Sequence, residues 1–167
     1  MRNRFDAVYS DVSSLRYGKL VIMADQDYDG SHIKGLVINF FQVFWPSLLK
    51  LNFLQQFITP IVKATKGKQS YMFFTLQQYK NWLVDHNEGQ GYHIKYYKGL
   101  GTSTPQEGRE YFSNLSRHLV PFKPITLEES SHLDMVFRKK RAAERKAWIN
   151  HFQPGDYVDY GLLVCFS

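Results

Sequence analysis

Three aspartates at alternate positions, Asp25, Asp27 and Asp29, close the stretch VIMADQDYDG at residues 21–30. Carboxylates this close repel one another. The usual relief is a hard divalent cation bound through oxygen, and Mg²⁺ needs only one or two carboxylates, with water or phosphate completing its shell. Two other readings compete for the same residues. An EF-hand loop also opens D-x-D-x-D-G, but it requires a bidentate Glu at its twelfth position and a helix ahead of it. Counted from Asp25, the twelfth residue is Leu36, and the preceding Lys19–Ala24 is β-like. A solvated acidic turn is the plainer alternative, since Asp and Gly favour turns in any case. The spacing of the aspartates does not exclude it.

The elements around the aspartates follow from patterning. Lys19–Ala24 is an apolar run, expected to be a strand buried on both faces. Gly30 permits a sharp turn, and a helix is expected from Ser31 to about Lys50. Its apolar residues Ile33, Leu36, Val37, Phe40, Phe41, Phe44 and Leu48 recur at spacings of three and four. Pro46 should interrupt it. Strand, acidic loop and helix place a ligand at the carboxyl end of a sheet. Phe57–Thr65 and Gln69–Thr75 read as hairpin strands around Lys66-Gly67-Lys68. Thr75 can cap a helix over Leu76–Val84, and Asp85–Gly91 is a polar loop. Tyr92–Lys98 is a further strand that runs into Gly99-Leu100-Gly101. Thr104-Pro105-Gln106-Glu107 is a capping box with proline at the first helical position, and that helix should reach about His118. Val120–Leu127, with Pro121 and Pro124, reads as an irregular connection before a long helix over Glu128–Phe152. Strands alternating with helices indicate an α/β fold.

Composition bounds the possibilities. A chain of 167 residues is about one domain and can bury a core. Hydrophobic residues at 44% and aromatics at 16% fit a globular fold rather than disorder. The 21 basic and 15 acidic residues leave a net charge of +6, suited to a polyanionic partner. The single Cys165 excludes a disulfide framework and a cysteine-rich zinc site, and it fits a reducing compartment. No apolar run approaches a membrane span, so no membrane partner is expected. The start carries Asp6 and Asp11 and lacks the apolar core of a signal peptide.

Three blocks go beyond composition: DQDYDGSHIKGL at 25–36, FITPIVKATK at 57–66 and YYKGLGTST at 96–104. With LRYGK at 15–19, NFF and WPSLLK within 39–50, EYFSNL at 110–115 and R-K-x-W at 145–148, they closely resemble the metal-binding TOPRIM domain of eukaryotic-type type IIA DNA topoisomerases. The resemblance covers roughly residues 10–153. It implies a TOPRIM-like α/β fold: a small, mostly parallel sheet flanked by helices and followed by a long C-terminal helix. The expected division is a lead-in over 1–18, a partial TOPRIM domain over 19–118, a connector and long basic helix over 119–153, and an unassigned tail over 154–167.

In that family the TOPRIM domain holds Mg²⁺ beside the phosphate to be cut, while a tyrosine on a separate winged-helix domain attacks it. One duplex then passes through the opened other, driven by an ATPase domain. The resemblance makes Asp25 the central metal ligand, Asp27 the ligand at a second or alternative position, and Asp29 a support of the cluster. Mn²⁺ or Ca²⁺ can stand in for Mg²⁺ in binding. His32 and Lys34 are implied to face phosphate at a helix start, and Lys98, Gly99 and Gly101 to line the cleaved duplex. His32 as a cap or core hydrogen-bonding group, and the glycines as a plain strand-to-helix turn, remain open. So does the basic group Arg138, Lys139, Lys140, Arg141, Arg145 and Lys146, as a solvated face or as a phosphate or domain contact. The aromatics Phe40, Phe41, Phe44 and Trp45 read as core or interface.

Departures from the family pattern shape the expectation as well. The glutamate of an E-G-D-S-A type motif does not precede Asp25, so the chain is expected to start inside the domain, with its first strand missing. Arg16-Tyr17 lies within LRYGK and is rejected as the nucleophilic pair. With neither the tyrosine domain nor the ATPase domain present, no catalytic residue is assigned here. ATP is expected to act only through a domain outside this chain. The reading is therefore the Mg²⁺-holding part of an ATP-dependent type IIA topoisomerase, not expected to relax DNA alone. Its partners would be double-stranded DNA and, in the full-length protein, a second copy. Its location would be the nucleus or a DNA-containing organelle such as the mitochondrion. The alternatives are a non-catalytic DNA-binding or assembly module and, more distantly, a TOPRIM nuclease or primase.

Overall fold

The structure is a computed structural model and describes residues 7–151. Strand β1 (Leu20–Met23) leads through Asp25 and Gln26 into helix α1 (Tyr28–Phe44). The helix starts three residues earlier than its apolar periodicity suggests because Asp27 caps it: its Oδ1 accepts the Gly30 N–H at 2.7 Å. Pro46 ends the regular ladder, and a single turn, α2 (Pro46–Leu49), carries proline at its start. Strand β2 (Leu54–Phe57) then runs parallel to β1, pairing Leu20 with Leu54.

A second, antiparallel layer follows. Strands β3 (Val62–Lys66) and β4 (Gln69–Phe73) form a hairpin closed between Lys66 and Gln69. Gly67 takes a positive φ of 58° in its turn, a conformation open to glycine at no steric cost. Helix α3 (Leu76–Asp85), capped by Thr75, leads to β5 (His93–Tyr96), which pairs with β3. Helices α4 (Pro105–Ser113) and α5 (Leu115–His118) return the chain to the first sheet as β6 (Leu119–Pro121), antiparallel to β2. Helices α6 (Leu127–Phe137) and α7 (Ala142–Asn150) complete the described residues.

Among the described residues the fold is thus mixed α/β, with two three-stranded sheets flanked by helices and ordered β1-β2-β6 and β4-β3-β5. The expectation of a mostly parallel sheet is corrected: among the described residues, β1 with β2 is the one parallel pairing. Strand β2 interrupts the apolar pattern with Gln55 and Gln56, which are buried at its centre. That polar pair hides the strand from a hydrophobicity reading. Pro121 makes residues 120–127 look irregular, yet β6 accommodates it as its last residue. Strand β1 is also less buried than its composition implies. Only Ile22 enters the core, while Leu20, Val21 and Met23 are each about two-fifths exposed, because β1 is an edge strand.

The expected long helix over 128–152 is broken at Arg138. A 3-10 turn at Lys139–Arg141 separates α6 from α7, and residue 152 lies outside the described residues. Arginines hold the break. Arg145 Nη1 donates to the carbonyls of Met135 and Val136 at 2.9 and 2.7 Å, satisfying the open end of α6. Arg141 bridges Asp134 and Glu144.

Two cores result. Ile22, Ile38, Phe41, Trp45, Leu48, Phe53, Leu54 and Leu133 pack α1, α2 and α6 onto the first sheet. Val62, Ala64, Phe73, Tyr79 and Trp82 join α3 to the second. No helix among the described residues is long and apolar enough to cross a membrane.

Candidate metal and phosphate site

The site forms where β1 ends. Ala24 is buried, Asp25 is half-buried, and Asp27 and Asp29 are exposed. Asp25 Oδ1 accepts the backbone N–H of Leu100 at 2.7 Å, a bond between residues 75 positions apart in the chain. It ties the acidic stretch to the Lys98–Gly101 loop, two segments joined by no feature of their local sequence.

Two glycines make the approach possible. A Cβ on Gly99 would lie 2.7 Å from Asp25 Oδ2 and 3.0 Å from Oδ1. A Cβ on Gly30 would lie 1.9 Å from the Asp25 carbonyl oxygen. Asp25 is therefore clamped between one glycine from each block, and only residues lacking a side chain fit either place. Gly101, by contrast, faces open space.

The three aspartates have different tasks. Asp25 is held by Leu100, Asp27 caps α1, and Asp29 sits in the first turn of α1. Helix N-termini carry partial positive charge, which favours acidic groups there. Among the described residues, no group of three or more His, Cys, Asp or Glu side chains is arranged to hold a metal ion. The donor chemistry fits the lighter requirement of Mg²⁺: hard carboxylate oxygens on Asp25 and Asp27, each with a second oxygen beyond its backbone bond, and open coordination left for water and phosphate.

The residues expected to face DNA separate into two groups. Lys98 and His32 are exposed, as is Gly101, while Gly99 is half-buried against Asp25. The His32 ring also stacks on Phe137, with centroids 6.0 Å apart. Lys34 differs from the expectation. It is only 1% exposed, and its Nζ donates to Gln26 Oε1 at 3.3 Å. Burial lowers the pKa of its ammonium, opposed by the charge of Asp27. Lys34 therefore lies beneath the acidic loop instead of offering its charge to solvent. Gln26 Nε2 is buried there without a hydrogen-bond partner among the described residues.

The sequence reading missed Leu100, whose contribution is a backbone N–H and leaves no trace in residue type. It also missed the second role of Glu107. That carboxylate accepts from Lys95 Nζ at 3.1 and 2.8 Å and from Tyr97 O–H at 2.6 Å, besides closing its capping box with the Thr104 N–H at 2.8 Å. Burial alone would raise its pKa, but these bonds outweigh burial and hold the carboxyl down at about 2. The available signal was Lys95 and Tyr97 at alternate positions of the expected strand Tyr92–Lys98, a spacing that puts both on one face.

Comparison with known proteins decides the family. Residues 57–163 match the family described as the C-terminal associated domain of TOPRIM. A solved structure, the Plasmodium falciparum topoisomerase II DNA-binding, cleavage and re-ligation domain, superposes with a TM-score of 0.85 at 50% identity, covering 93% of this chain and 22% of that one. The chain belongs to the TOPRIM region of the DNA topoisomerase II family. DNA topoisomerase 2 of Caenorhabditis elegans is 54% identical over 140 residues, and that of Plasmodium falciparum is 52% identical over 151. These alignments cover 84% and 90% of the chain but only 9% and 11% of the relatives, so the chain spans about a tenth of their length. Topoisomerase II is a type IIA enzyme family, and the TOPRIM region implies a divalent-metal cofactor.

Proposed function

We propose that this chain is the Mg²⁺-holding, phosphate-facing portion of an ATP-dependent type IIA DNA topoisomerase that works on double-stranded DNA. The observation that carries the reading is the Asp25–Leu100 bond, which brings the DxDxDG block and the KGLG block to one place. Asp25 and Asp27 would hold the metal, with Asp29 adding negative charge in the first turn of α1. A bound divalent ion supplies Lewis-acid stabilisation to the oxygens of a phosphodiester undergoing transfer. Exposed Lys98 and His32 would meet the phosphates beside it, and Gly99 admits the close backbone approach. The nucleophilic tyrosine, the ATPase and the second copy of the subunit belong to the full-length protein, whose place of work is the nucleus or another DNA-containing compartment.

Titration with Mn²⁺ tests this directly. Amide signals of residues 25–30 should broaden before others, with weak affinity, on the order of the millimolar range known for weak oxygen sites. Asp25→Asn should abolish the effect. Broadening that is uniform or centred elsewhere overturns the metal reading and favours the non-catalytic module. Relaxation of supercoiled DNA by the pure chain, lost in Asp25→Asn, would refute the division of labour proposed here.

A further inference from the structure

The loop that meets Asp25 is held at both of its ends by one carboxylate. Residues 98–103 follow Tyr97, the residue after strand β5, and lead to Thr104, the N-cap of helix α4. Glu107 accepts from Tyr97 O–H on the incoming side and from the Thr104 N–H on the outgoing side. Lys95 anchors the same carboxylate through both oxygens, and Lys63 of β3 lies 3.8 Å from it. Within the loop, Thr102 N–H and Oγ1–H donate to the Gly99 carbonyl, and Ser103 N–H donates to that of Leu100. Ser103 Oγ lies 3.3 Å from the hydroxyl of buried Tyr111. The short, internally bonded loop therefore has its direction set by its two ends.

A helix cap does not require this. The chain contains a second capping box, in which Glu129 Oε2 accepts the Thr126 N–H at 2.7 Å. Apart from the reciprocal Glu129 N–H to Thr126 Oγ1 bond of the box itself, the Glu129 carboxylate has no further hydrogen bond or ion pair among the described residues. Glu107 instead gathers two cations and a phenol at the second sheet, although burying a carboxylate is costly unless it is paired and hydrogen-bonded. Two of its partners, Tyr97 and Thr104, flank the Lys98–Gly101 loop.

We propose that Glu107 is a positioning residue of the metal site. By clamping Tyr97 and Thr104 it fixes the loop so that the Leu100 N–H reaches Asp25 Oδ1, which sets the orientation in which Asp25 presents its other oxygen. The consequence for metal rests on the function proposed above. The effect on the loop can be measured without metal.

Both are read in one set of spectra on the intact chain, using E107A, E107Q and E129A. In metal-free protein, E107A should speed hydrogen exchange at Leu100 by roughly tenfold, the factor expected from losing one charge-assisted hydrogen bond. Exchange at Ala64 in the second core reports any global loss of stability and should accelerate less than exchange at Leu100. E107Q should fall between E107A and the parent, since glutamine can close a capping box but lacks the charge. E129A should leave Leu100 unchanged. With Mn²⁺, the midpoint for broadening residues 25–30 should weaken by roughly tenfold in E107A, at the low end of what outer-shell changes cost a metal site. The proposal is overturned if Leu100 exchange is the same in E107A as in the parent, if Ala64 accelerates equally, or if E129A has the same effect. Should E107A not fold, E107Q decides alone: Leu100 exchange and Mn²⁺ midpoint both at parental values reject the role. Failure of the parent to broaden at residues 25–30 would sink the metal reading, while the exchange arm still decides whether Glu107 sets the loop.

Discussion

Gly99 and Gly101 stand two residues apart in the same motif, and the structure assigns them opposite sensitivities. In Gly99→Ala the new methyl would lie 2.7 Å from Asp25 Oδ2, 2.9 Å from Cγ and 3.0 Å from Oδ1. Either the loop retreats and the Asp25–Leu100 bond is lost, or it stays and the carboxylate is forced aside. Loss of a hydrogen bond to a charged group costs about 1.5–3 kcal/mol, and overpacking costs a similar amount, about 1–3 kcal/mol. These are alternative outcomes, so they do not add. A stiffer unfolded chain returns about 0.4–1 kcal/mol, leaving a net destabilisation of about 1–2 kcal/mol. A protein of this size loses about 2–4 °C of Tm per kcal/mol, so Gly99→Ala should unfold about 2–8 °C lower. In Gly101→Ala the methyl meets nothing within 4 Å, and the same entropy term predicts no loss or a gain of about 0.4–1 kcal/mol. Thermal unfolding followed by circular dichroism gives the ranking, and the Leu100 amide shift reports the bond itself. The reasoning is refuted if Gly101→Ala costs as much as Gly99→Ala, or if Gly99→Ala leaves both Tm and the Leu100 signal unmoved.

Three further outcomes follow from the same geometry. Glu107 is depressed from 4.5 to about 2, so its stabilisation is present above its unfolded value and is lost as pH falls through that window; the contribution is on the order of 3 kcal/mol. Urea midpoints measured from about pH 6 down to about pH 2 should fall less steeply in E107Q, and equal slopes would contradict the assignment. For Lys34, burial lowers the folded pKa below 10.5, so its ammonium burdens the folded state at low pH and the burden lifts as pH rises through the lowered value. Lys34→Met should therefore flatten that alkaline gain relative to the parent, and an unchanged pH response would show that the ammonium is solvated. For DNA, Lys98→Ala should reduce the log–log salt slope of duplex affinity by about 0.9, while Lys80→Ala, exposed on α3, should not; equal effects would mean that overall charge, not a shaped site, holds the duplex.

Some elements were legible because their cause is local. The capping boxes at Thr104 and Thr126 are made by side chains three residues apart, and the first carries the stronger signature because proline follows its threonine. The β3–β4 hairpin is announced by Lys66-Gly67-Lys68, and α3 by Thr75. Strand β2 was missed because Gln55 and Gln56 occupy a central strand where apolar residues are the rule. The break at Arg138 was missed because its support comes from Arg145, whose carbonyl partners Met135 and Val136 lie a helix away.

By itself, the order of residues determined the chemistry on offer: three aspartates after a strand, a glycine loop after another, and blocks specific enough to indicate the family. Those properties reside in residue type and short spacing, which a chain carries unfolded. Only the tertiary structure decided what each group does. It set Asp25 rather than Asp27 against the loop, required Gly99 but not Gly101, and turned Lys34 inward beneath the acidic residues. It also gave a helix-capping glutamate three side-chain partners: Lys63 and Lys95 from the second sheet and Tyr97 just past its strand β5. Those assignments depend on backbone donors and on excluded volume between segments up to 75 positions apart. Neither is encoded in the type of any single residue, so both arise only when the two sheets pack.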